Sequence, residues 1–167
     1  MNIKTERLLI TDFTLDMAKA VHLGSMDEDV RRFLPDEVFE SEEIAAAVIA
    51  DLMDCYQGTE GPFVHPMLAD GGYAGYVQLV PLGDGEWEIG YHTVKAMTGH
   101  GYATEAVLAF LPVMMAQMHL SHVHGICDAD NKASIRVLEK CGFTRVYEGN
   151  GMYHGKMQPI VKMLYTI

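Results

Sequence analysis

The stretch that decides the fold of this chain reads Thr98-Gly99-His100-Gly101-Tyr102-Ala103-Thr104-Glu105-Ala106, and a helical apolar pattern follows it from Val107 to Met118. Its two glycines let the backbone turn sharply and bring several N–H groups together, and the new helix directs its positive dipole end at the same point. Such a corner binds a phosphate or pyrophosphate, although glycine pairs before helices also form plain tight turns. It lacks the third glycine of a dinucleotide fingerprint and the Gly-Lys-Ser/Thr ending of a P-loop.

A second segment further along the chain completes the pattern. Residues His122 to Asp128 are typical of a strand, and Lys132 to Cys141 of a short helix. Asp130 or Asn131 is the expected cap of this helix, and Gly142 its stop. The second segment is therefore a strand, a capped turn and a helix.

Together the two segments resemble the two halves of the acyl-CoA site of the Gcn5-related N-acetyltransferase (GNAT) superfamily. The similarity is greatest to the branch of ribosomal-protein N-terminal acetyltransferases (RimJ/RimL-like). The signatures that carry it are Thr5-Glu6-Arg7-Leu8, Glu88-Ile89-Gly90-Tyr91, Gly99-x-Gly101-Tyr102-Ala103-Thr104-Glu105-Ala106, and Asn131-x-x-Ser134 through Glu139-Lys140-x-Gly142-Phe143. Their order and spacing span nearly the whole chain, a combination much more specific than any one of them.

The resemblance implies acetyl-CoA as the co-substrate and no metal. In this family the sheet splays between the strand before the glycine loop and the strand after its helix, and the pantetheine arm fills the opening. Asn131 and Ser134 would hydrogen-bond the pantetheine amides or the thioester, unless they only cap their helix. The pyrophosphate would lie on the loop formed by Thr98, Gly99, His100, Gly101, Tyr102, Ala103 and Thr104.

Acyl transfer from a thioester needs a neutral amine, a stabilised oxyanion and a proton for the departing thiolate. Backbone N–H groups of Gly90 to Val94 are the expected oxyanion donors. Glu88 and His92 alternate with Glu86 on one strand face, so each is a candidate base, with a water relay as the third option. A half-exposed strand also carries polar residues that have no such role.

Two positions depart from the common pattern of the superfamily. Counting from Asn131, Leu138 stands where many members carry the tyrosine that protonates the thiolate. Ser134 or Cys141 then becomes the candidate acid, or the thiolate leaves without one. The loop also begins with Thr98 where many relatives have arginine or glutamine, so one phosphate contact is weaker or comes from His100.

Length and charge restrict the class of protein further. The 167 residues suit a single domain over 1–167, and a net charge of −11 disfavours nucleic acid and anionic membranes while attracting amines. The longest apolar run, Ala106 to Ala116, is too short to cross a bilayer, and the N-terminus lacks an apolar signal core. We expect a cytoplasmic monomer or homodimer. Local positive charge for the cofactor would come from His100, Lys132, Arg136, Lys140 and Arg145.

The order of elements predicts an α/β domain of three layers, with a mixed, mostly antiparallel sheet flanked by helices. An edge strand is expected over Lys4 to Asp12, and an irregular segment over Val30 to Phe39. Two further helices are predicted, Leu15 to Gly24 and Ser41 to Gln57. The other predicted strands are a meander of Pro62 to Ala69, Tyr73 to Pro81 and Trp87 to Val94, and a last pair of Thr144 to Gly149 and Gln158 to Thr166.

The remaining metal-binding and nucleophilic residue types form no motif. The three cysteines contain no C-x-x-C pair, which argues for reduced thiols that serve mainly as small hydrophobes. His122 and His124 would share a strand face and His119 precedes them, but no carboxylate or thiolate stands at a familiar ligand spacing, so no metal is expected.

The sequence thus predicts an acetyl-CoA-dependent N-acetyltransferase that transfers directly to a primary amine. The acceptor is left open between a protein N-terminus and a small amine, such as a polyamine or an aminoglycoside. The alternative from a different class is a catalytically silent acyl-CoA-binding module with a regulatory role, which the missing tyrosine allows.

Overall fold

Eight strands and five helices make up the fold in the computed structural model, which describes residues 1–167. The strands are β1 (Asn2–Lys4), β2 (Leu8–Thr11), β3 (Phe63–Ala69), β4 (Gly72–Gly83), β5 (Glu86–Thr93), β6 (His122–Asp128), β7 (Thr144–Tyr153) and β8 (Lys156–Thr166). The helices are α1 (Ala18–Gly24), α2 (Glu28–Phe33), α3 (Glu42–Cys55), α4 (Tyr102–Met118) and α5 (Lys132–Lys140). None of the helices is long and apolar enough to cross a membrane.

All eight strands belong to one sheet, in the order β1-β2-β3-β4-β5-β6-β8-β7. Every neighbouring pair is antiparallel except β5 and β6, which run parallel and are joined by a single register pair, Glu88 with His124. Beyond this pair the two strands separate towards their carboxyl ends. We call the opening between Gly90–Thr93 and Ile126–Asp128 the wedge. The predicted fold class, a mixed and mostly antiparallel sheet splayed at this point, is confirmed.

Helices cover both faces of the sheet and bury two apolar clusters. The larger cluster lies between the sheet and the pair α4 and α5, and its fully buried members include Phe110, Met114 and Leu138. The smaller one lies under α1 and α3 and includes Phe13 and Ile49. Burying side chains of this size contributes about 1.5–3 kcal/mol each, so both faces hold the three layers together.

The β5-α4-β6 crossover places the glycine loop at the mouth of the wedge. Helix α4 begins immediately after Gly101, whose φ of 78° is left-handed, and ends before His119, which has a φ of 55°. Since α4 follows the carboxyl end of β5, its amino terminus lies at the end of the sheet where β5 and β6 separate. Ligands of open α/β sheets bind at such carboxyl ends.

Two predicted elements were wrong. The segment from Lys4 to Asp12 is not one edge strand, because Thr5 turns the chain by bonding Leu8 through its backbone N–H at 2.9 Å. Strand β1 therefore forms the sheet edge and β2 lies inside it. The segment from Val30 to Phe39 was expected to be irregular, yet α2 enters it, capped by Asp27, whose carboxylate accepts from Asp29 N at 2.8 Å and Val30 N at 3.1 Å.

Candidate active site

The glycine loop presents a set of free backbone donors at the mouth of the wedge. Gly99 and Gly101 have φ values of 81° and 78°, a conformation that side chains with a Cβ rarely adopt. No backbone N–H of residues 99–104 donates to an acceptor within the chain. The dipole of α4 adds partial positive charge at the same place. This geometry suits a phosphate or pyrophosphate group.

The N-terminal Thr5-Glu6-Arg7-Leu8 motif braces this loop through Glu105. The carboxylate of Glu105 accepts from Thr5 Oγ1 at 2.6 Å, from Arg7 N at 2.9 Å and from Arg7 Nε at 2.7 Å. Arg7 also donates from Nη1 to the carbonyl of His100 at 2.7 Å, and its guanidinium lies 5.0 Å from the ring centre of Tyr102. The motif therefore fixes the first turn of α4 and the loop before it.

The side chains of Thr98 and His100 support the loop from within. Thr98 Oγ1 donates to the carbonyl of Lys95 at 2.8 Å. The Nδ1 of His100 lies 3.1 Å and 3.0 Å from the carbonyl oxygens of Met97 and Thr98, so this nitrogen carries the proton. The His100 ring stacks on Tyr102 at 5.4 Å and is exposed to solvent, which leaves Nε2 facing outward.

Asn131 caps α5, which is one of the two roles that the sequence allows for it. Its Oδ1 accepts from the backbone N–H of Ser134 at 3.2 Å. The Nδ2 group of the same amide makes no hydrogen bond within the chain. One end of this side chain thus holds the helix, and the other remains a free donor beside the wedge.

Tyr91, which the sequence reasoning did not select, meets Ser134 across the wedge. Its hydroxyl donates to the carbonyl of Ser134 at 2.8 Å and lies 2.9 Å from Ser134 Oγ. Burial raises the pKa of Tyr91 far above its usual value. The signal was present in the Glu88-Ile89-Gly90-Tyr91 signature, because Tyr91 alternates to the opposite strand face from Glu88.

Leu138, which stands where many GNAT proteins have a tyrosine, offers no polar group to the site. It is 1% exposed and belongs to the core between α5 and the sheet. A Cβ placed on Gly125 would lie 2.6 Å from Leu138 Cδ2, so the leucine fills the space above this glycine. Hydroxyl groups at this face of the wedge come from Ser134 and Tyr91.

Neither buried cysteine suits the chemistry of a nucleophile at neutral pH. Burial raises the pKa of Cys127 and of Cys141 to about 11. Both therefore remain thiols, and the thiolate that a covalent acyl-enzyme requires is absent. Cys141 Sγ contacts the carbonyl of Thr104 at 3.7 Å.

Glu88 lies at the opposite face of the wedge from Ser134. Its pKa is raised to about 8, first by burial and then by the nearby carboxylate of Glu37, while a hydrogen bond from the backbone of Ile126 and the charge of Lys162 act against this rise. Since Ile126 belongs to β6, the Glu88 side chain reaches across the start of the opening. A carboxyl group with this pKa is matched to general base work near neutral pH.

His92, the other candidate base, is held at the edge of α1. Its Nε2 lies 3.2 Å from the carbonyl of Gly24, to which it donates, and its ring lies 5.6 Å from that of Tyr76. Burial lowers the pKa of His92, so the ring is neutral at pH 7. With Nε2 committed to Gly24, only Nδ1 is left to accept a proton.

Next to Glu88, the same face carries buried polar atoms that have no partner. They are Glu37 Oε2, Tyr76 Oη and His154 Nε2. The other oxygen of Glu37 accepts from Gln78 Nε2 at 2.9 Å, and burial raises the pKa of Glu37. Unpartnered buried polar atoms are uncommon, and water or a polar ligand at this face would supply the missing partners. Sequence reasoning missed them because they come from a turn, from β4 and from the β7–β8 hairpin.

The positive charges expected around the cofactor differ in availability. Arg145 is not free, because it pairs with Glu139 at 3.0 Å and with Glu148 at 3.3 Å. Lys132 donates to the carbonyl of Ala129 at 2.6 Å. Arg136 and Lys140 are exposed on α5 and form no ion pair.

A splayed sheet with a donor-rich glycine loop at its opening is the arrangement that the resemblance to the GNAT acetyltransferases predicts. The family model described as the acetyltransferase (GNAT) domain matches residues 7–144, and the chain belongs to this family. The resemblance predicted from the sequence is thereby confirmed.

Particular relatives agree with this assignment. The uncharacterized N-acetyltransferase YnaD of Bacillus subtilis is 29% identical over 146 residues, which cover 87% of this chain and 84% of YnaD. A GNAT-family acetyltransferase from Bacillus anthracis has a TM-score of 0.83 and 27% identity, covering 99% and 98% of the two chains. RimL, a ribosomal alpha-N-protein acetyltransferase solved with coenzyme A, shares the fold at a TM-score of 0.86 and 16% identity, covering 100% of this chain and 98% of RimL.

Proposed function

We propose that this acetyltransferase uses acetyl-CoA to acetylate a primary amine by direct transfer, without a metal and without an acyl-enzyme. The acceptor is a protein N-terminus or a small amine. The observation that carries the proposal is the position of Glu88, a half-buried carboxyl group with a pKa of about 8 at the start of the wedge. The three free cysteines suit a reducing compartment such as the cytoplasm.

The half of the site that binds the acetyl donor, which we call the donor half, is formed by the glycine loop and α5. The free N–H groups of Gly99 to Thr104 bind the pyrophosphate, and the exposed ring of His100 lies beside them. The pantetheine arm enters the wedge, where Asn131 Nδ2 bonds one of its amides. RimL, which shares this fold, was solved with coenzyme A. This is the same kind of ligand as the one proposed here.

In the chemical step, the base acts from one face of the wedge and the acid from the other. Glu88 removes a proton from the amine, whose nitrogen then forms a bond with the thioester carbonyl carbon. A backbone N–H group of Gly90 to Thr93 that faces the wedge stabilises the oxyanion, whereas the Val94 N–H already donates to the carbonyl of Ala74 at 2.9 Å. When this intermediate collapses, the carbon–sulfur bond breaks, the nitrogen loses its second proton to water, and the CoA thiolate takes a proton from Ser134 Oγ, which is reprotonated from solvent. The proton taken up by Glu88 returns to water.

The acceptor half of the site favours a cationic group. Glu37 and Glu88 place two carboxyl groups near each other on one face, and the free Oε2 of Glu37 lies buried there. An arriving ammonium ion is attracted by these groups and by the net charge of −11, and Glu88 in its ionised form then takes its proton. We therefore expect the acceptor to be positively charged before it reacts.

The test is a titration with acetyl-CoA followed by an assay of CoA release across a panel of amines. The panel contains peptides with free N-termini, polyamines and aminoglycosides, and the same peptides with blocked N-termini serve as the control. We expect acetyl-CoA to bind and at least one free amine to release CoA. Binding without release on any amine would favour the catalytically silent acyl-CoA-binding module instead.

A further inference from the structure

A cluster of two imidazoles and one carboxylate lies at the amino-terminal ends of β5 and β6, at the opposite end of these strands from the glycine loop. Oε2 of Glu86 lies 2.8 Å from His122 Nε2 and 2.6 Å from His124 Nε2. One ligand atom from each residue falls within 4.8 Å of the other two. The three side chains therefore converge on one point.

The geometry of the cluster suits an ion held from one side. The rings of His122 and His124 stand perpendicular, with centroids 5.7 Å apart, so that both Nε2 atoms turn to the same carboxylate oxygen. The exposed fractions of the side chains are 38%, 25% and 40% for His122, His124 and Glu86. Solvent thus reaches the point of convergence and can supply water ligands.

A further contact orients one of the rings. Ser121 Oγ lies 3.1 Å from Nδ1 of His122. When Nδ1–H donates to this hydroxyl, Nε2 carries the lone pair and is available as a ligand. Hydrogen bonds of this kind commonly fix metal-bound histidines.

We propose that Glu86, His122 and His124 bind a divalent cation of the zinc class, with water completing the coordination. Two imidazole nitrogens and one carboxylate oxygen form a common donor set for zinc, with metal–ligand distances of about 2.0–2.2 Å. In the bound state the cation replaces the two hydrogen bonds to Oε2. The site is separate from the wedge and takes no part in the transfer of the acetyl group.

The position of this site gives it a mechanical role. Glu86 belongs to β5 and the two histidines belong to β6, and these strands share only the register pair between Glu88 and His124. A bound cation joins the strands where they are already together, below the point at which they separate. It therefore stabilises the junction between the two halves of the sheet without closing the wedge.

The experiment titrates the full chain, freed of metal by a chelator, with Zn²⁺ in competition with a chromophoric chelator, and follows the melting temperature in parallel. We compare the parent with Glu86→Gln, His122→Gln and His124→Gln. His119→Asn is the matched control, because His119 is exposed outside the cluster and asparagine tolerates its left-handed backbone.

We expect the parent and the control to bind one Zn²⁺ and to melt at a higher temperature when it is present. Each cluster variant should bind at least about tenfold more weakly, since it lacks one of three protein ligands, and should lose the rise in melting temperature. The proposal is overturned if the parent binds no Zn²⁺ at micromolar concentration, or if the cluster variants bind as tightly as the control. Even if one variant fails to fold, the titration of the parent still shows whether the protein binds Zn²⁺.

Discussion

Ser134 and Glu88 occupy opposite faces of the same opening, and the proposed mechanism gives them different roles. Ser134 stands with Tyr91 on the face of α5, with the two hydroxyl oxygens 2.9 Å apart. Glu88 lies on the face that carries Glu37 and the other unpartnered polar atoms. In the proposed transfer the base serves the amine and the acid serves the departing sulfur, and the sheet keeps these two groups apart.

Replacing Ser134 tests the proton donor. In Ser134→Ala the departing thiolate loses its nearest hydroxyl, so kcat should fall by roughly 10²-fold or more, while the Kd for acetyl-CoA changes little. Ser134→Thr, which keeps a hydroxyl, is the matched control and should retain most of the turnover. Steady-state CoA release and an acetyl-CoA titration measure the two quantities. Unchanged kcat in Ser134→Ala would show that the thiolate leaves without this acid.

Among the structural elements, the glycine loop offers free backbone N–H groups, through which we expect it to bind the cofactor. We expect Gly101→Val to remove acetyl-CoA binding, because the valine side chain forces the strained backbone to change and covers the N–H groups. Gly71→Val is the matched control: Gly71 has the same φ of 78°, lies in the β3–β4 turn and leaves open space around an added Cβ.

Calorimetric titration and thermal melting of both variants separate binding from folding. Both should lose similar stability, since the left-handed conformation costs a residue with a Cβ about 1–2 kcal/mol. Only Gly101→Val should lose acetyl-CoA. If both bind it as the parent does, the loop is a plain turn.

Asn131 combines a helix cap with a free donor, and two substitutions separate these roles. Asn131→Asp keeps an oxygen that accepts from Ser134 N but removes the Nδ2 donor. The melting temperature should therefore stay the same, while acetyl-CoA should bind more weakly. Asn131→Ala should also destabilise the fold by about 1 kcal/mol. Melting and titration on the same samples measure both effects. If Asn131→Asp binds acetyl-CoA as tightly as the parent, Asn131 only caps the helix.

The donor half of the site could be predicted from the sequence because it is local. The long apolar run of α4 and the glycines before it lie within one short stretch, α4 ends at Met118 as its apolar pattern predicts, and β6 matches its predicted bounds. Helix α2 was missed, although Asp27 and the acidic residues after it form a cap, because it is only six residues long.

The acceptor half could not be predicted, because its residues meet only in the folded chain. Glu37, Gln78 and His154 lie far apart in sequence and come together through the order of the strands. The same holds for Glu86, which joins His122 and His124 only because β5 and β6 are neighbours. Periodic patterns along the chain do not predict such contacts between residues that are distant in sequence.

In the whole molecule, the proposed reaction depends on one arrangement of the sheet and its loops. The sheet splays between β5 and β6, and in the proposed mechanism the cofactor enters from the loop before α4 while the amine arrives on the face of Glu88. A carboxyl group with a pKa of about 8 is mostly protonated at pH 6 and accepts no proton there. As the pH rises through this pKa, the base ionises and turnover increases.

The most direct test is the pH dependence of kcat at saturating acetyl-CoA for the parent, Glu88→Gln and His92→Gln, with the best amine of the panel. The parent kcat should rise with pH and level off above about 8, and His92→Gln should keep this inflection. Glu88→Gln should be roughly 10²–10⁴-fold slower and lack it. An inflection that persists at parent turnover in Glu88→Gln would belong to the amine and would contradict the role of Glu88 as the base.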